Sequence, residues 1–141
     1  MMVSFRVATF DDFEQCCQFD YSYVPSEWLK QSIQNGWVYL VEEGDLVVGY
    51  ARLEYIWLLY PIIGLLTLED DYQRKGIGTA LIDHIAHDLS KQGRRVLFTS
   101  AEDEGASEFY RKCGFHQCGV ISEINETGND EIYFIRYLQK E

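Results

Sequence analysis

Residues 62–92 constrain the fold of this chain more than any other stretch. They hold an apolar run, Ile62-Ile63-Gly64-Leu65-Leu66-Thr67-Leu68, then an acidic corner, the hexapeptide Gln73-Arg74-Lys75-Gly76-Ile77-Gly78, and a segment of helical period. The run is short, rich in β-branched residues and leucine, and apolar at successive positions, which predicts a strand buried inside a sheet. After the glycines, Ile77, Leu81, Ile82, Ile85 and Leu89 recur at helical spacing, with Asp83, His84, His87, Asp88 and Lys91 on the other side. Gly93 supplies the stop. Strand, tight glycine turn and helix are thus expected in sequence.

Such a corner can hold an anion. The N–H groups of a helix's first turn and the helix dipole attract negative charge, and glycines let a phosphate approach the backbone. Arg74 and Lys75 add cationic side chains. A dinucleotide fingerprint requires a third glycine where Leu81 stands, and a P-loop requires Gly-Lys-Ser/Thr at longer spacing, so both nucleotide sites are disfavoured. Taken alone, Gly76 and Gly78 also fit a plain helix start beside a tight turn.

The hexapeptide resembles the Q/R-x-x-G-x-G/A turn of the GCN5-related N-acetyltransferases. Downstream, residues 96–100 read as the next strand, and Phe109-Tyr110-Arg111-Lys112-Cys113-Gly114-Phe115 is similar to that family's Y-x-x-x-G-F segment. Order and spacing agree from 62 to 115, about two-fifths of the chain. The resemblance implies acetyl-coenzyme A as co-substrate. Its pyrophosphate would lie on Gln73, Arg74, Lys75, Gly76, Ile77, Gly78 and Thr79, and its pantetheine arm along strand-four backbone at Leu66 and Leu68. The family often has proline where Asp70 stands, and Glu69-Asp70-Asp71 puts negative charge near the phosphates.

The chain of 141 residues is expected to be one domain, 1–141, long enough to bury roughly 68% of its unfolded surface. Hydrophobic residues at 47% and aromatics at 15% suit a packed globule. No apolar run approaches the ~20 residues of a membrane span, and residues 1–6 lack a secretory signal's apolar region, so a cytoplasmic protein is expected, away from membranes. Cys16, Cys17, Cys113 and Cys118 show no paired C-x-x-C spacing and read as reduced, mostly packed thiols. His84 and His87 lack a third ligand nearby, so no metal is expected.

The net charge of −11 argues against nucleic acid as partner. Its distribution is uneven: residues 1–73 carry 12 acids and 3 bases, whereas 74–141 carry 11 acids and 9 bases. The bases collect where a phosphate-bearing cofactor would bind.

In chain order, a first strand at 5–8 precedes a helix opened by a capping box, Thr9 with Asp12, that runs through Phe13, Cys16, Cys17 and Phe19. A second helix from Ser26 is amphipathic through Trp28, Leu29 and Ile33 and ends at Asn35-Gly36. Strands are expected at 37–41 and 46–57 about the hairpin turn Glu42-Glu43-Gly44-Asp45, with Gly49 marking a bulge. Tyr60-Pro61 then turns into strand four. Past the long helix come strand five, an acidic loop 102–105, and a short helix whose Ala106, Phe109, Tyr110 and Cys113 share a face. Two closing strands, 117–124 and 131–137, flank the turn 125–129. The order β-α-α-β-β-β-α-β-α-β-β matches the acetyltransferase fold of the resembled family: an α/β, mixed, mostly antiparallel sheet with helices on both faces. The helix joining strands four and five makes them parallel, and in the family that pair splays apart.

The resemblance makes Tyr110 the acid for the leaving thiolate. A phenol of pKa ~10 keeps its proton at neutral pH and can pass it to a thiolate of parent pKa ~8.5. A core tyrosine is the competing reading. An amine acceptor must lose a proton before attack, and Glu54 on strand three and Glu69 after strand four are the candidate bases, each equally readable as a solvated surface acid. Tyr21, Tyr23, Trp28, Tyr55, Trp57 and Tyr60 mark the expected acceptor side.

The leading expectation is an acetyl-coenzyme A-dependent N-acetyltransferase acting on a primary amine of a small molecule or peptide, cationic or else neutral, by direct attack, as monomer or homodimer. A non-catalytic coenzyme A-binding or protein-interaction module is the alternative. A nucleotide-binding regulator is the third reading.

Overall fold

The computed structural model describes residues 2–20 and 24–139. In chain order it contains β1 (Ser4–Val7), α1 (Phe13–Phe19), α2 (Ser26–Gln34), β2 (Val38–Glu43), β3 (Leu46–Ile56), β4 (Tyr60–Leu68), α3 (Ile77–Lys91), β5 (Val96–Ala101), α4 (Glu104–Lys112), β6 (His116–Ile121) and β7 (Glu131–Tyr137). Short 3-10 turns stand at Phe10–Asp12 and Asp70–Tyr72. The strands form one mixed seven-stranded sheet in the order β1-β2-β3-β4-β5-β7-β6. β4 and β5 run parallel, in register at Ile62 and Phe98, joined through α3. The β1/β2, β2/β3, β5/β7 and β6/β7 ladders are antiparallel.

The chain divides into two compact units, Met1–Glu54 with Gly64–Ile85, and Tyr55–Ile63 with Ala86–Glu141. In the first, Cys16 and Phe19 of α1, Leu29 and Ile33 of α2, Val38 and Leu40 of β2 and Tyr50 of β3 share a core. Phe19 and Tyr50 stack with ring centroids 6.0 Å apart. The second unit buries Leu89, Leu97, Ala101, Phe115 and Phe134.

Local signals explain where these elements start and stop. The Thr9 backbone N–H donates to Asp12 Oδ2 at 2.7 Å, and Arg6 grips both oxygens of the same carboxylate at 2.8 Å, so the entry to α1 is pinned to β1. The Arg6 guanidinium holds the Asp12 carboxyl down at about 2. Helix α3 closes with Gly93 at φ +85 and the Arg94 N–H reaching back to the Leu89 carbonyl at 2.9 Å, a Schellman stop. Opposite Val41 and Glu42, the β2/β3 register slips by one residue at Val48, beside Gly49. Gly49 has no room for a side chain: a Cβ there would sit 2.5 Å from Leu68 Cδ2 and 2.8 Å from Val41 Cγ2.

Several expectations are corrected. β4 is not buried throughout: Ile63 is buried, Gly64 is exposed and residues 65–68 are half-buried, because an apolar composition does not fix how much cover a strand receives. Strand three ends at Ile56, and the turn is made by Trp57 and Leu58, both left-handed at φ 53 and 61, with β4 already running at Tyr60. Trp28 is 68% exposed, since it lies about 100° around α2 from the Leu29–Ile33 stripe. His84 is not simply on a solvated face: its ring packs on Phe5 at 5.4 Å and Tyr39 at 5.9 Å. Of the cysteines, Cys16 and Cys113 are buried but Cys17 and Cys118 are exposed. β6 stops at Ile121, and Glu123 then takes a left-handed φ of 54.

Candidate active site

The corner between β4 and α3 lies within the first unit. The Gln73 side chain folds back, its Nε2 donating to the Leu68 carbonyl at 3.0 Å, which ties the turn to the end of the strand. Arg74 and Gly76 both adopt left-handed backbone, φ 60 and 80. A Cβ on Gly76 would meet nothing within 4 Å, so φ selects glycine here and the space in front of the backbone stays open. The Gly76 carbonyl accepts the Ala80 N–H at 3.1 Å, making Gly76 the cap of a 15-residue helix. Ile77 and Gly78 are buried, Thr79 is half-buried, and Gln73, Arg74 and Lys75 are exposed. An N-terminal helix dipole, a glycine with open space before it and two exposed cations therefore coincide, the physical requirements of an anion cradle. Leu66 and Leu68 stand half-buried on β4. Glu69, Asp70 and Asp71 are exposed beside the corner, and with Leu46, Val48 and Tyr72 they line an acidic hollow in the same unit.

Glu54 has a charge partner. Its Oε2 accepts from Arg52 Nη1 at 2.6 Å, while Arg52 Nε and the Tyr50 hydroxyl both donate to Asp20 Oδ2 at 2.6 Å. Arg52 is 4% exposed and Glu54 59%. Burial opposes the charge on Arg52, but the hydrogen bonds to Asp20 and Glu54 prevail and its pKa is raised. Tyr50 is pushed up by burial and by the neighbouring Asp20 carboxylate. Gly64 is required opposite, since a Cβ there would collide with Glu54 Oε2. Sequence reading missed the Asp20–Arg52 pair. Its signal was an arginine between Tyr50 and Glu54 at period two on an otherwise apolar strand.

Tyr110 lies in the second unit, on α4. The helix is opened by Asp103, whose Oδ1 accepts the Ala106 N–H at 2.8 Å, so the expected acidic loop is in part an N-cap. The half-buried Tyr110 ring is held by Phe109 at 5.3 Å, Phe115 at 5.7 Å and Phe134 at 6.3 Å. Burial raises its pKa, with the Thr99 hydroxyl pulling the other way. The phenol thus carries its proton at neutral pH, as a proton donor must.

The expected aromatic wall is distributed differently. Tyr21 and Tyr23 lie outside the described residues. Trp28 belongs to the first unit, whereas Tyr55, Trp57 and Tyr60 belong to the second. There the Arg94 guanidinium covers the Tyr55 ring at 5.0 Å and donates to the Leu59 carbonyl at 2.8 Å, so that aromatic face already carries a cation of this chain.

The sequence model of the acetyltransferase (GNAT) domain family matches residues 34–117. An uncharacterized N-acetyltransferase of Methanocaldococcus jannaschii is 29% identical over 103 residues, 67% of this chain and 45% of that protein. The matched stretches span less than half the length of the curated relatives. Among solved structures, the ribosomal-protein-S18-alanine N-acetyltransferase from Escherichia coli superposes with a TM-score of 0.82 at 16% identity, covering 99% of this chain and 96% of that one. N-acetylglutamate synthase from Neisseria gonorrhoeae, complexed with coenzyme A and N-acetyl-glutamate, gives 0.80 at 21% identity, covering 99% of this chain and 36% of that one. At those identities the likeness is one of fold.

Proposed function

The chain belongs to the acetyltransferase (GNAT) domain family, and from that premise we propose that it moves an acetyl group from acetyl-coenzyme A to a primary amine of a small molecule or peptide by direct attack, without a covalent enzyme intermediate. The observation that carries this reading is the β4–α3 corner, where Arg74, Lys75 and the open backbone at Gly76 meet the start of a 15-residue helix. Gln73 to Thr79 would hold the pyrophosphate, and the backbone of Leu66 and Leu68 the pantetheine arm. Coenzyme A bound to a neighbour of the same fold supports the choice of ligand. We read residues 1–141 as one acetyltransferase domain acting in the cytoplasm.

In the reaction the amine nitrogen bonds to the thioester carbonyl carbon and the carbon–sulfur bond breaks. Tyr110, protonated because burial raises its pKa, gives its proton to the departing sulfur. Glu54 and Glu69 remain the candidate bases for the ammonium proton. Both are exposed, and Glu54 differs in accepting a hydrogen bond from Arg52. The excess of acid in residues 1–73 favours a cationic acceptor.

Coenzyme A is expected to raise the melting temperature where ATP at the same concentration does not. Gly78→Asp, which places a carboxylate at the helix start, is expected to abolish that shift, and because Gly78 is buried the circular dichroism spectrum of the variant is compared with that of the unmodified protein. Thiol release from acetyl-coenzyme A is then measured across spermidine, an alanine-terminated peptide and neutral and acidic amines. Coenzyme A binding without turnover of any amine would replace this reading by the non-catalytic module, and equal stabilisation by ATP would remove the dedicated site.

A further inference from the structure

Among the described residues one buried side-chain nitrogen or oxygen has no hydrogen-bond partner: Thr99 Oγ1. Burying a hydroxyl without a partner is unfavourable, and valine has the same shape without the cost. The position is fixed by strand alternation, since Leu97, Thr99 and Ala101 are the buried side of β5. Across the β5/β7 ladder Thr99 faces Phe134, which is fully buried and touches the Tyr110 ring at 6.3 Å. Phe109 and Phe115 close on the same ring, so Tyr110 has little freedom to turn its hydroxyl elsewhere. Thr99 and Tyr110 are thus hydroxyl neighbours, close but without a closed hydrogen bond, and Cys113 and Glu131 are the other titratable groups that act on the phenol.

The geometry points to Thr99 as a positioning residue for Tyr110, its hydroxyl left uncommitted in the resting protein so that it can donate to the phenolic oxygen as that oxygen gives up its proton. This rests on the proposed role of Tyr110 as the acid. As the amine attacks and the carbon–sulfur bond breaks, the electron pair leaves on sulfur and the Tyr110 proton follows it. Negative charge then develops on the phenolic oxygen in a place where water is scarce, and the Thr99 O–H, turned towards it, stabilises that charge without changing any of its own bonds. The phenolate recovers a proton from the solvent pool that received the proton lost by the acceptor amine. The net change is amide and free thiol from amine and thioester.

The test measures kcat and KM for acetyl-coenzyme A with the fastest amine of the panel above, in Thr99→Val, Thr99→Ser, Tyr110→Phe and the Thr99→Val/Tyr110→Phe double variant. Thr99→Val is expected to lower kcat by about tenfold with KM for acetyl-coenzyme A unchanged and a melting temperature at or above that of the unmodified protein, whereas Thr99→Ser keeps most of the turnover. Adding Thr99→Val to Tyr110→Phe should cost nothing more, because the group it serves is gone. Unmodified kcat in Thr99→Val, equal losses in the valine and serine variants, or additive losses in the double variant would each overturn the inference while leaving an inactive Tyr110→Phe as evidence for the acid. Full turnover in Tyr110→Phe, or no turnover with any amine, would overturn the acid itself and this inference with it.

Discussion

At the scale of single residues, the described charges that reach the interior are paired, and the pairs do structural work. Arg52, almost wholly buried, reaches Asp20 through one nitrogen and Glu54 through another, so the strand face holding Tyr50, Arg52 and Glu54 is tied to the end of α1. Arg6 does the same for the start of α1 through Asp12. Because the folded Asp12 carboxyl is depressed from 3.8 to about 2, its pairing stabilises the protein above the unfolded value and that contribution is lost as pH falls through about 2. Arg6→Met is therefore expected to cost under about 1 kcal/mol at neutral pH, the guanidinium being partly exposed, and to flatten the fall in stability between pH 4 and pH 2. Calorimetric melting at several pH values checks it: parallel curves for the two proteins would mean that the pair carries no coupling.

At the scale of elements, the β4–α3 corner depends on the strand beside it. Gly49, next to the β-bulge at Val48, lets Leu68 pack against β3 with no side chain in between. Gly49→Ala would drive a methyl group into Leu68 and Val41, and overpacking of this kind costs about 1–3 kcal/mol. Leu68 also anchors Gln73 through its carbonyl. The variant should accordingly melt earlier and bind coenzyme A more weakly, a pair of effects that thermal melting and calorimetric titration read separately. Unchanged affinity at reduced stability would show that the corner is independent of the bulge.

At the scale of the whole molecule, the acidic excess belongs to residues 1–73, and the bases of 74–141 begin at the proposed phosphate cradle with Arg74 and Lys75. Long-range attraction should then favour a cationic amine. The apparent kcat/KM for spermidine is expected to fall several-fold between low salt and 1 M, where screening shortens to ~3 Å, with neutral amines little affected. Salt-independent rates for spermidine, or faster acetylation of anionic amines, would remove charge as a basis for selection. None of the helices is long and apolar enough to cross a membrane among the described residues.

The order of elements, the parallel β4/β5 pair and the glycine corner were legible in the sequence because each rests on local chemistry: period two or 3.6, a capping residue, a glycine forced to positive φ. The capping box at Thr9 and Asp12 and the stop at Gly93 are cases in point, each set by residues a few positions apart. What local pattern could not decide is cover and partnership across the chain. Whether residues 65–68 lie buried, whether Trp28 or His84 faces water, and that Arg52 is paired with Asp20 depend on segments brought together from tens of residues away. Thr99 makes the contrast plain. Sequence marks it only as a strand residue, and the folded chain alone leaves its hydroxyl uncommitted, with Phe134 across the ladder and Tyr110 behind it.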